Sequence, residues 1–253
     1  MQSRRKLAAL ITFLVSFAVL QACAPMNTGP QKQYTARDYE HLGEAYLSGR
    51  RVKYDPAMAA RYFIKAAMMG DVLAQYNLGV MYRTGEGVPQ DMAEAVKWYR
   101  MAAEQGNPEA QYSMGHAYFQ GRGAPQDPYE AFKWYHKAAE QGVIDAQHNL
   151  GSMYREGIGV AQDYKAAFSW YQKAATRGLA SSQFYLGILY AEGNGVRRDI
   201  VKSYMWFALS IKWGGESDDT TRKNIEQLAK HMTPQQIAKA KRLAEEWLPQ
   251  TGQ

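Results

Sequence analysis

The sequence predicts an all-α protein: an α-solenoid of about five 36-residue helix-hairpin repeats, followed by a C-terminal capping hairpin. Three observations carry this prediction. Gly43, Gly79, Gly115, Gly151 and Gly187 recur every 36 residues. Leu42, Leu78, Met114, Leu150 and Leu186 precede those glycines, and Tyr46, Tyr82, Tyr118, Tyr154 and Tyr190 follow three residues later. Trp98, Trp134, Trp170 and Trp206 keep the same beat, with Tyr62 one period before them. A fixed period of this size marks a stacked array of supersecondary units.

Each period holds two helical patterns. Ala74, Leu78 and Tyr82 fall on one face of a first helix. Ala95, Trp98, Tyr99, Ala102 and Ala103 fall on one face of a second. Gly106-Asn107-Pro108 reads as a helix stop, an N-cap and a first-turn proline. Asp55-Pro56 and Asp127-Pro128 give the cap-then-proline signal at second helices, and Glu94 and Glu130 stand where they would close capping boxes with Asp91 and Asp127. Gly-x-Gly loops (Gly85-Glu86-Gly87, Gly121-Arg122-Gly123, Gly157-Ile158-Gly159 and Gly193-Asn194-Gly195) join the helices of a pair. No strand pattern is present.

A mid-helix glycine costs roughly 0.5–1 kcal/mol relative to alanine. Its recurrence at one phase implies close approach by a bulky partner, and Trp98, Tyr99 and their equivalents are the natural candidates. A buried aromatic removes about 150–250 Å² from water, which offsets the glycine cost. On this account Gly115→Leu unfolds its repeat locally.

These residues resemble a known family. The string Ala-Gln-Tyr-x-Leu-Gly-x-x-Tyr, then Gly-x-Gly-Val, Asp-x-x-x-Ala-x-x-Trp-Tyr and Ala-Ala-x-x-Gly, is similar to the Sel1-like repeat, a relative of the tetratricopeptide repeat. Residues 71–106 match it almost throughout, residues 107–142 and 143–178 nearly as well, and the likeness covers residues 36–214. The end copies depart: residues 36–70 lack Gly-x-Gly-Val and carry Tyr62, and residues 179–214 carry Ser203 and Ser210 in place of alanine. Atypical end repeats are expected of a solenoid.

Past Gly214-Gly215 the period stops. Residues 221–231 and 234–248, within a cap spanning 215–248, read as one more hairpin whose Leu228, Ile237, Leu243 and Trp247 cover the apolar end of the array. Thr233-Pro234-Gln235-Gln236 has the capping-box pattern. At the other end, residues 1–22 read as a signal peptide, with a basic stretch at Arg4, Arg5 and Lys6 and an apolar run over 7–20, too short for an ordinary spanning helix of about 20 residues. Leu20-Gln21-Ala22-Cys23 resembles a bacterial lipobox, which implies diacylglycerol attachment at Cys23 and cleavage before it. Ala24, by resemblance to enterobacterial lipoproteins, points to the outer membrane, facing the periplasm. Residues 23–35 read as a flexible tether rich in Pro, Gly, Asn, Thr and Gln.

The apolar content of 46% suits a long continuous core. Net charge is +6, or +3 without Arg4, Arg5 and Lys6, too mild for nucleic acid. With Cys23 the single cysteine, no disulfide pair exists to staple the fold. No H-E-x-x-H or Gly-x-Ser-x-Gly is present, and residues 23–253 contain no Ser-x-x-Lys. The five histidines have no ligand spacing, so no metal or cofactor is expected. The Gly-x-Gly loops lack a preceding strand and a following Lys-Ser/Thr, so they read as turns and not phosphate loops. The tryptophan column reads as core and not as a sugar-stacking ladder.

The family likeness implies a concave groove lined by the first helix of each pair. It assigns to that groove Tyr76, Tyr112, His148 and Phe184, then His116, then Arg83, Phe119 and Arg155. Val80, Ser152, Ile188 and Ala191 hold the remaining equivalent positions. Aromatics and arginine are the usual hot spots of interfaces. Tyr76 and Tyr112 have a competing role as packing residues between repeats. A second candidate surface is the outer loops at Glu86, Arg122, Arg197 and Arg198. The expected function is a non-enzymatic, lipid-anchored envelope scaffold for a protein or peptide partner. The alternatives are an enzyme acting on peptidoglycan or β-lactams, or a structural part of an envelope polysaccharide or secretion assembly.

Overall fold

The local signals for helix caps account for most of the observed chain path. A computed structural model of the protein describes residues 33–214 and 219–250. The expectations for residues 1–32, among them the signal peptide and Cys23, lie outside the described residues.

The described residues form twelve helices and no strand. The first helices of the pairs are α1 (Ala36–Ser48), α3 (Val72–Thr84), α5 (Pro108–Gln120), α7 (Ile144–Glu156) and α9 (Ala180–Glu192). The second helices are α2 (Pro56–Met68), α4 (Met92–Glu104), α6 (Pro128–Glu140), α8 (Tyr164–Thr176) and α10 (Ile200–Gly214). The chain then forms α11 (Asp219–Ala229) and α12 (Pro234–Glu246). Each helix packs on its predecessor and successor along the array, and α10 also takes α11 and α12. Helices α1 to α9 are all 13 residues long, so every rod is about 20 Å and the hairpins stack without overhang.

Asp55 caps α2 through the Met58 amide, and Asp91, Asp127 and Asp163 cap α4, α6 and α8. Asp71 and Asn107 cap α3 and α5 through Ala74 and Ala110. The capping boxes expected at Asp91 and Asp127 do not close. The amides of Asp91 and Asp127 already donate to the Tyr82 and Tyr118 carbonyls, which ties the loop to the preceding helix. Glu94 and Glu130 pair instead with Lys97 and Lys133. The box at Thr233 and Gln236 does close.

The repeat glycines sit under aromatic rings. A Cβ on Gly79, Gly115, Gly151 or Gly187 would lie 2.4–2.7 Å from Tyr99, Tyr135, Tyr171 or Phe207. The covering ring is the residue after each tryptophan and not the tryptophan itself. Trp134 and Trp206 are buried, whereas Trp98 and Trp170 are only partly so. Lys137 and Lys173 lie 4.2 Å and 3.9 Å over the Trp134 and Trp170 rings, so the column is an outer margin of the core.

The second glycine of each loop has a different reason. Gly123 has φ +77°, and a Cβ there would stand 2.1 Å from the Met92 carbonyl oxygen. The loop of one repeat thus presses its bare backbone on the first residue of the previous second helix, and only glycine meets both demands.

A column of buried glutamines joins successive repeats. Gln75, Gln111, Gln147 and Gln183 donate to the carbonyls of Ala67, Ala103, Ala139 and Ala175, satisfying helix C-termini. Gln105 and Gln141 donate to the side-chain oxygens of Gln75 and Gln111, each at 2.7 Å. The next two equivalents are Arg177 and Trp213, and the buried side-chain oxygens of Gln147 and Gln183 are accordingly without a partner.

The closing hairpin divides its work. In α12, Ala240 and Ala244 are buried, and Trp247 just beyond it lies 6.0 Å from Trp206 and 6.2 Å from Trp213. The Gln250 amide reaches the Thr176 carbonyl. Leu228 does not join this end cover. It lies on α11 and faces α9, because α11 packs on the side of α10 toward the first helices.

Candidate functional site

The expected groove residues fall on one face because equal hairpins stack with equal phase. Positions 36 residues apart therefore present the same helix direction. Helix α3 supplies Tyr76 and Arg83, α5 supplies Tyr112, His116 and Phe119, α7 supplies His148 and Arg155, and α9 supplies Phe184.

Four of these line one hollow of about 300 Å³: Tyr76, Arg83, Tyr112 and His116, together with Glu109 and Arg122. Tyr112 and His116 also line an adjoining hollow of about 250 Å³ with Phe119, Tyr135, Met153 and Ile158. The two hollows thus share a wall and span α3 to α7.

Tyr76 and Tyr112 are half-buried, with their rings 5.8 Å from Tyr99 and 5.6 Å from Tyr135. They pack on the aromatics that cover the repeat glycines and still border open space. Arg83 receives orientation from the Tyr99 hydroxyl, which accepts from Nε at 3.1 Å. Among the described residues, neither Arg83 nor Arg122 has an acidic side chain within ion-pair distance. Burial pushes the His116 pKa below its ordinary value, and the Arg122 and Arg83 guanidiniums push it the same way. His116 is therefore a neutral ring at pH 7.

His148, Arg155 and Phe184 are held differently. His148 Nδ1 is 2.9 Å from Ser182 Oγ, and its ring lies 5.4 Å from Tyr171. Burial, then Arg155, lowers its pKa, with Asp145 opposing. Arg155 lies 4.5 Å over the Tyr185 ring and pairs with Glu156. Phe184 packs on Tyr185 and Phe207. These three build an aromatic wall between repeats and border neither of the two hollows.

Arg122 lies exposed in the loop after α5, where the sequence places it. It follows Gly121, the left-handed cap that turns the chain at the end of α5, and this turn carries it to the hollow beside Arg83. Its place directly after a groove helix was the signal available. Glu86 accepts a hydrogen bond from the Tyr54 hydroxyl at 2.7 Å.

At the fifth repeat the same face already holds a helix. Asn224, Gln227, Leu228 and His231 of α11 and the turn beyond it face Ile188, Ala191 and Phe207 across a hollow of about 230 Å³. Ile188 and Ala191 are the equivalents of His116 and Phe119.

Among the described residues, one group of potential metal ligands lies close together: Glu40, His41 and Glu44. Burial, then Glu44, pushes the Glu40 pKa up to about 7. No helix among the described residues is long and apolar enough to cross a membrane.

The Sel1 repeat matches the chain five times, over residues 39–71, 72–107, 108–143, 144–179 and 180–212. A protective antigen of uropathogenic Escherichia coli strains displaying an SLR fold is 38% identical, with a TM-score of 0.72. The likeness covers 83% of this chain and 46% of the antigen, so the chain spans about half that protein's length. A Sel1 repeat protein from Oxalobacter formigenes is 31% identical over 87% of this chain and 90% of its own, also with a TM-score of 0.72. No curated protein matches the chain.

Proposed function

The chain belongs to the Sel1 repeat family, and on that premise we propose that it is a non-catalytic scaffold holding a protein partner on the face shared by α3, α5 and α7. Sel1 repeat proteins are in general protein–protein interaction scaffolds. The observation that carries the choice of face is the pair of adjoining hollows sharing Tyr112 and His116. Rigid hairpins present these side chains in fixed places, so the ordering cost of association falls mainly on the partner. The lipid anchor at Cys23 and the outer-membrane location belong to the same proposal and rest on the sequence of residues 1–24.

Three measurements test it. A photoreactive residue at position 119, introduced in the living cell, should capture a specific protein, and Tyr112→Ala/His116→Ala should abolish that capture. Capture retained in the double variant but lost in Arg197→Ala would move the binding surface to the loops. Cys23→Ala should stop palmitate labelling and leave an uncleaved precursor, and labelling that persists would remove the anchor from the proposal. Turnover of nitrocefin or muropeptides by the purified protein would favour the enzymatic alternative.

A further inference from the structure

Helix α11 packs on α10 and stands opposite the shared face at the fifth repeat, across a hollow. Asn224, Gln227 and Leu228 follow the i, i+3, i+4 spacing of one helical stripe, and His231 continues the same side in the turn beyond it. That stripe faces Ile188 and Ala191, the fifth-repeat equivalents of His116/Phe119 and Val80/Arg83. The chain has thus laid an amphipathic helix on its own last repeat, with Leu228 turned toward the apolar floor. The corresponding floor at the third and fourth repeats contains Phe119, Tyr135, Met153 and Ile158 and has no helix over it among the described residues.

The charge differs one repeat nearer the N-terminus. Where the fifth repeat has Ala191, the second has Arg83, and Arg122 lines the same hollow. Two guanidiniums without acidic partners face a single carboxylate there, that of Glu109, beside a neutral His116. Helix α11 carries Arg222 and Lys223 against Asp219 and Glu226, with Lys230 directly after it, so it is a poor electrostatic match to that place.

Resting on the face assigned above, we propose that the partner segment is an amphipathic α-helix, seated by an apolar side chain in the Phe119–Ile158 hollow and by a carboxylate between Arg83 and Arg122. Guanidinium–carboxylate pairing fixes its direction, since a reversed helix puts the acid over the apolar floor.

The test uses the full chain and three fluorescent peptides read by anisotropy. The first is a helix-forming peptide with leucines along one stripe and two glutamates one turn away. The second has glutamines for the glutamates, and the third has a proline in its middle. The first should bind tightest, weaken about tenfold with glutamine, in Arg83→Ala/Arg122→Ala or at high salt, and weaken again in Phe119→Ala. Lys239→Ala, at an exposed position of α12, should change nothing, and circular dichroism of each variant should match the parent. Equal binding of the proline peptide overturns the helical mode. Equal binding of the glutamine peptide overturns the acidic anchor, and first-peptide binding weaker than about 1 mM overturns both. If position 119 still captures a protein in cells while the peptides fail, the face stands and this inference alone falls.

Discussion

Replacing Gly115 with alanine adds one methyl group and should destabilise the protein. The added Cβ would lie 2.5 Å from Tyr135 Cδ1 and 2.8 Å from Cγ and Cε1. Carbon atoms rest at about 3.5–4.0 Å, so the ring must retreat by roughly 1 Å. Tyr135 is 1% exposed and sits in a cluster with Ala138, Leu150 and Met153, with Tyr112 and Phe119 against it, so a retreat either displaces these neighbours or pushes the ring into the hollow it borders. Overpacking of this kind costs about 1–3 kcal/mol. The gain in helix propensity returns about 0.5–1 kcal/mol. The net loss spans about 0–2.5 kcal/mol and centres near 1 kcal/mol, which is roughly 2–4 °C in Tm for a domain of this size. Thermal melting followed by circular dichroism reads the total. Hydrogen exchange should place the loss in α5, α6 and their immediate neighbours, since each helix packs mainly on its neighbours in the array. A double-mutant cycle with Tyr135→Ala should show coupling of about 1 kcal/mol or more, because without the ring the methyl has room. A melting point equal to or above the parent, or an additive cycle, would refute the close-approach account.

Gly123→Ala should cost more than Gly115→Ala. The obstacle is the Met92 backbone carbonyl and not a side chain, and φ is positive as well, so the loop between α5 and α6 should lose protection against exchange or proteolysis first. Arg177→Gln should raise stability by about 0.5–1.5 kcal/mol, read by urea unfolding. The new amide would donate to the unpaired Gln147 oxygen as Gln141 donates to Gln111, and would reach the Gly142 carbonyl as Gln141 reaches that of Gly106. Glu40 has a folded pKa of about 7, above its value in the unfolded chain. The folded state therefore binds more protons between about pH 4.5 and 7, and stability falls as pH rises through that window. Glu40→Gln should flatten this dependence and stabilise the first repeat at pH 8, measured by melting across pH. His116 and His148 have the opposite sign. Their lowered pKa values mean that the unfolded chain binds the extra protons, so stability falls on acidification below the ordinary histidine value of about 6.5, and NMR titration should place both rings below it.

The period of 36 residues, the helix pairs and most caps were legible in the sequence, because each depends on residues close in the chain. Asp55, Asn107 and Thr233 cap helices as their types require. The failures were equally local. The boxes at Asp91 and Asp127 stay open because their amides are already taken by Tyr82 and Tyr118, a bond that spans nine residues and leaves no sequence mark. The glutamine column was visible as a recurring Ala-Gln, but its role depends on helix C-termini of the preceding repeat.

What the chain determined alone is the unit and its multiplication: a glycine for the covering ring, a capped turn, and the same again 36 residues on. Only the tertiary structure decided which ring covers the glycine, that Arg122 joins Arg83 while Arg155 is paired with Glu156, and that α11 lies over the fifth repeat. The physical reason is range. Helices and caps are settled within a few residues, whereas a binding face is assembled from side chains a whole period apart and exists only once the hairpins have stacked.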